Sequence, residues 1–98
     1  MLTRYQQIYT VEQLRGYVNE ILCEHNQLQQ DAFAMTERVL RRGGRPCGIF
    51  FCLQGPRALR LTAIWDIERN QILFYNSTGE RFQRTQLLEG PTLDRVAA

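Results

Sequence analysis

The chain has 98 residues, of which 44 % are hydrophobic and 22 % charged, with a formal net charge of +2. A length near 100 residues supports one core of two packed layers and excludes a multidomain enzyme with a deep substrate cavity, so residues 1–98 are expected to form a single domain. The composition excludes the polar, highly charged profile of a disordered chain, and a net charge this small does not by itself mark a nucleic-acid binder.

The opening segment MLTRYQQIYT lacks the apolar stretch of a signal peptide, and no later run approaches the roughly 20 apolar residues that span a bilayer. The expected location is the cytoplasm. Tyr5 to Tyr9 is a candidate additional strand. Thr10 followed by Gln13 has capping-box spacing, with the hydroxyl and amide placed to satisfy free N–H groups at a helix start. From Val11 onward Leu14, Val18, Ile21, His25, Leu28, Ala32, Met35 and Val39 recur at steps of three and four, an amphipathic stripe. Arg41 and Arg42 suit a helix C-terminus, Gly43-Gly44 suits a left-handed cap, and Pro46 blocks continuation. The pattern predicts helix over about 10–42. Asn26 or Asp31 could start a second helix, so one bent helix and a helix pair fit equally well.

The period then changes. Ile49 to Leu53 is a short apolar run that ends in the turn Gln54-Gly55-Pro56-Arg57, and Leu59, Leu61, Ala63 and Trp65 then alternate with Arg60, Thr62, Ile64 and Asp66, the period of a strand with one buried and one mixed face. Ile72 to Tyr75 is a further strand, Asn76 to Gly79 a turn, and Arg81 to Leu87 a polar strand suited to a sheet edge. Connections this short imply antiparallel neighbours. The expected fold is α+β, with an N-terminal helix or helix pair packed on a three- to four-stranded antiparallel meander over about 47–88, and a loosely held tail over 89–98.

Catalytic chemistry finds little support. Cys23, His25, Cys47 and Cys52 are ligand types that suit zinc, but residues 23 and 25 diverge on a helix, residues 47 and 52 fall on opposite faces of a strand, and no Cys-x-x-Cys knuckle is present. Three cysteines in a chain that folds without staples are expected to be free thiols. Asp66 with Glu68 and Glu20 with Glu24 are spaced as solvated charges are. The glycines of Gly43 to Gly48 follow a predicted helix and precede a strand, the reverse of a phosphate-cradling loop. No catalytic residue, cofactor or metal is assigned, and the chain is expected not to be an enzyme.

Charge distribution says more than net charge. All twelve basic residues are arginine, and residues 37–60 hold six of them against Glu37 alone. Arg38, Arg41, Arg42, Arg45, Arg57 and Arg60 form a candidate patch for an anion or nucleic acid, because guanidinium forks match phosphate and stack on aromatic rings. The strands supply a second clue. Ile49 to Leu53 and Ile72 to Tyr75 are apolar at consecutive positions, hence on both faces, so the helical layer either covers both sides or leaves one open. Phe50, Phe51, Ile64, Phe74 and Tyr75 are candidate interface residues, and a protein partner or a homodimer is the expected occupant. The alternative function is weak nucleic-acid or anion binding through the arginine patch.

Overall fold

A computed structural model of the chain describes residues 1–91. In chain order the elements are β1 (Leu2–Gln6), α1 (Val11–His25), β2 (Met35–Arg42), β3 (Arg45–Gln54), β4 (Arg60–Asp66), β5 (Gln71–Tyr75) and β6 (Arg81–Leu87). The fold is α+β: one helix on a mixed six-stranded sheet of order β1-β6-β5-β4-β3-β2. β1 runs parallel to β6 and every other neighbour is antiparallel. The chain starts at one edge, crosses a face of the sheet as α1, enters the opposite edge as β2 and returns strand by strand until β6 meets β1.

Helix α1 starts where its cap predicts. Thr10 Oγ1 accepts from the Gln13 amide at 3.0 Å, and Gln13 Oε1 reaches back to the Tyr9 amide at 2.9 Å, one residue beyond the usual reciprocal partner. The helix ends earlier than expected. Gln27 adopts φ +56°, the Leu28 amide donates to Cys23 O at 2.8 Å and the Gln27 amide to Glu24 O at 3.3 Å, a Schellman closure built without glycine. The Asn26 side chain also donates to Leu22 O at 2.8 Å. The predicted helix over 10–42 is therefore corrected to Val11–His25, with no second α-helix among the described residues and only a single 3₁₀ turn at Pro56–Ala58.

Met35 to Arg42 is instead an edge strand. Gly43 and Gly44, with φ of +59° and +79°, form the two-residue hairpin loop joining β2 to β3, where both positions need positive φ to match the strand twist. Two further differences concern the far side of the sheet. The additional strand is Leu2–Gln6 rather than Tyr5 to Tyr9, and its parallel pairing makes β6 an interior strand rather than an edge. The meander expected to have three or four strands has five, β2 to β6, in a mixed sheet of six. At the start of the expected tail Glu89 is exposed but its carbonyl accepts from the Ile8 amide at 3.3 Å, and Pro91 is buried. The rest of the expected tail lies outside the described residues.

The core lies between α1 and one face of the sheet. Leu14, Val18 and Leu22 pack over Phe51, Trp65 and Phe74, all at most 1 % exposed. Full burial of side chains of this size contributes about 1.5–3 kcal/mol each. Beneath the helix β6 turns polar: Thr85 is fully buried and its hydroxyl meets Tyr17 OH at 2.9 Å and Gln83 Nε2 at 3.0 Å. The polarity of β6 reflects this internal network, not an exposed edge.

Candidate functional site

One helix covers one face. Strand register places the remaining side chains of β2 to β6 on the opposite face in rows that run across the sheet. The central row is Arg38, Phe50, Ile64, Leu73 and Arg84, each directly opposite the next. Strands lie about 4.8 Å apart, so the two arginines bracket a three-residue apolar bar with backbones roughly 19 Å apart. A second row carries Thr36, Cys52, Thr62, Tyr75 and Arg81. The apolar members are half-buried, because each shields the next and the arginine stems lie along them.

The guanidinium groups are placed rather than free. Arg38 lies over Phe50, its Cζ 5.8 Å from the ring centroid. Arg81 lies 5.4 Å from the Tyr75 centroid and donates to Tyr75 OH at 2.9 Å. Arg84 Nη1 donates to Gln71 Oε1 at 3.2 Å and Gln86 Oε1 at 3.1 Å, which fixes that side chain on the face.

Beside the central row is a hollow of about 310 Å³, lined in part by Leu40, Cys47, Ile64 and Leu73, with Arg42 and Asp66 at its rim. Gly48 sits in register between Leu40 and Asp66, and a Cβ there would meet Trp65 O at 2.2 Å.

The two sides of the molecule differ in charge. By register the strands place Arg38, Arg60, Arg81 and Arg84 on the uncovered face against Asp66, and the hollow on that face adds Arg42, Arg69 and Glu68. The helix side carries Glu12, Glu20, Glu24, Asp31 and Glu37 against Arg4 and Arg15. Arg15 and Glu37 form an ion pair there, which strengthens the proton affinity of the guanidinium.

Of the predicted interface residues, Phe50, Ile64 and Tyr75 lie on the uncovered face. Phe51 and Phe74 do not: both are fully buried under α1, because strict alternation sends neighbours in an all-apolar strand to opposite faces. The predicted arginine patch is divided. Arg41, Arg42 and Arg45 surround the β2–β3 hairpin loop, while Arg57 and Arg60 lie at the other end of β3, whose ten residues span roughly 30 Å. Arg38 alone of the six sits between, in the central row. Sequence reasoning missed Arg81, Arg84 and Leu73. The one signal for Arg84 and Leu73 was their alternation with residues that face the helix.

The thiols and the imidazole are not brought together. His25 stacks on Phe82 at a centroid distance of 3.6 Å on the helix side, whereas Cys52 faces the other side and Cys47 lines the hollow. An irregularity where Leu40 pairs with Gly48 but Arg41 with Pro46 interrupts the alternation that would have set Cys47 and Cys52 on opposite faces. Cys23 is fully buried with its thiol 3.6 Å from Asn19 Oδ1, and burial, reinforced by the Asp31 carboxylate, pushes its pKa up. All three cysteines are free. Among the described residues no group of three His, Cys, Asp or Glu side chains is placed to hold a metal ion, and no helix is long and apolar enough to cross a membrane. Compared with protein-family models, with curated proteins and with solved structures, the chain finds no match.

Proposed function

We propose that this chain is a non-enzymatic binding domain whose working surface is the uncovered sheet face and whose partner is anionic there. The observation that carries this is the central row, an apolar bar of Phe50, Ile64 and Leu73 held between Arg38 and Arg84 on a face that no described segment crosses. The bar supplies desolvation and the arginines supply directional forks for carboxylate or phosphate. A second copy is the other occupant considered for such a face. Charge disfavours that arrangement, because two copies meeting face to face set the arginines of one against the same arginines of the other, with only Asp66 and Glu68 on each described face to offset them. A cytoplasmic setting suits the three unpaired thiols.

Titrating the full chain with a heparin fragment while following backbone amides by NMR tests this reading. The expected shifts fall on Arg38, Phe50, Ile64, Leu73 and Arg84, and Ile64→Glu removes them. Shifts confined to residues 41–45, or a dimer by light scattering that Ile64→Glu dissociates, would overturn it.

A further inference from the structure

Resting on the proposal that the uncovered face is the working surface, the geometry points to a single-stranded nucleic acid as its occupant. Three features combine. First, on the uncovered face the arginines outnumber the carboxylates Asp66 and Glu68 while the opposite side is acidic, so a polyanion is drawn to this side and repelled by the other. Second, the cationic groups are all guanidinium. These planes pair with phosphate through two parallel N–H bonds and also stack on bases, which an ammonium does not do. Third, two of the arginines are paired with aromatic rings, Arg38 with Phe50 in one row and Arg81 with Tyr75 in the next, while Arg84 is held by Gln71 and Gln86.

Those arginine–aromatic pairs are what distinguish the ligand classes. A chain of unpaired bases offers flat π faces at the same intervals as charge, so bases can settle on ring or guanidinium planes while phosphates reach the flanking forks. A duplex hides its base faces and must be entered through a groove by a protruding element, and this face is a sheet with half-buried side chains. A polyglutamate chain satisfies the arginines but has no flat π face to set against Phe50.

Fluorescence anisotropy with the full chain and a labelled oligouridylate about twelve nucleotides long tests the inference. Four arginines predict that the logarithm of affinity falls against the logarithm of salt with a slope of about −3, roughly halved in Arg38→Gln/Arg84→Gln. Phe50→Leu keeps apolar volume and charge but removes the π face, so it is expected to weaken binding about fivefold or more with an unchanged slope. Circular dichroism of each variant confirms that the fold is intact. Equal affinity for a duplex of the same length or for polyglutamate, or an unaffected Phe50→Leu, would overturn the nucleic-acid inference. Polyglutamate binding that Ile64→Glu abolishes would do so while leaving the face reading standing. Tight oligonucleotide binding that neither Ile64→Glu nor the double arginine variant weakens would overturn both.

Discussion

At Gly48 the absence of a Cβ lets the Trp65 carbonyl approach across the β3–β4 ladder. Gly48→Ala would place a carbon 2.2 Å from Trp65 O, and because that neighbour is backbone in the middle of the sheet, relief requires the strands to move. The expected cost is about 1–3 kcal/mol, read as a fall of the urea midpoint by roughly 1 M; an unchanged midpoint would show that the sheet absorbs the methyl. Asn70 is the complementary case, a polar residue that closes the β4–β5 turn. It takes φ +50°, accepts from Trp65 Nε1 at 3.3 Å, donates to Leu87 O at 3.4 Å and lies against Gly90, so one amide ties the largest core side chain to the end of β6.

Among the elements, the β2–β3 hairpin depends most on its loop. Gly43→Asn is expected to be nearly neutral, since asparagine tolerates the left-handed region at the first position of such a turn, whereas Gly44→Val is expected to cost about 1–2 kcal/mol in urea unfolding. Equal midpoints for Gly44→Val and the parent chain would refute the turn assignment. The same loop explains why this element was misread from sequence. Gly-Gly after Arg41-Arg42 serves equally as a helix cap and as a hairpin loop, and Met35 and Val39 fit a helical stripe as well as the inward positions of a strand. The real helix stop, Gln27 in the left-handed region, carries no glycine to announce it. Where period and boundary agreed, the elements were legible: the Thr10 cap, the alternation of β4, and β6 at Arg81–Leu87. β1 was harder because LTRYQ is exposed along its whole length, so no apolar pattern marks it. The candidate face was legible as a surplus of apolar strand residues, but choosing Phe50 over Phe51 and Tyr75 over Phe74 required the register. The arginine block was legible only as a block, because its division between the two ends of β3 depends on where the hairpin turns.

Over the whole molecule, a net charge of +2 conceals two unlike sides. Arg38→Gln/Arg84→Gln and Arg4→Gln/Arg15→Gln remove the same formal charge from opposite sides. A chain that approaches a cation exchanger with its basic face should lose more retention from the first pair than from the second, since charges beyond a Debye length of about 10 Å contribute little. Co-elution of the two variants would mean that the asymmetry is too shallow to orient the molecule.

The parallel ladder between β1 and β6 also bears on how the domain is made. Leu2 pairs with Gln83 and Gln6 with Leu87, so the first strand to be synthesised has as its sheet neighbour the last. At ordinary translation speed β1 waits for roughly ten seconds before its partner exists. During that interval α1 has the β2–β5 meander to settle on, but the far edge of the sheet is unfinished. Completion of the sheet therefore waits for β6, and a ribosome that stalls before residue 81 would hold a nascent chain whose strand β1 has no place to dock.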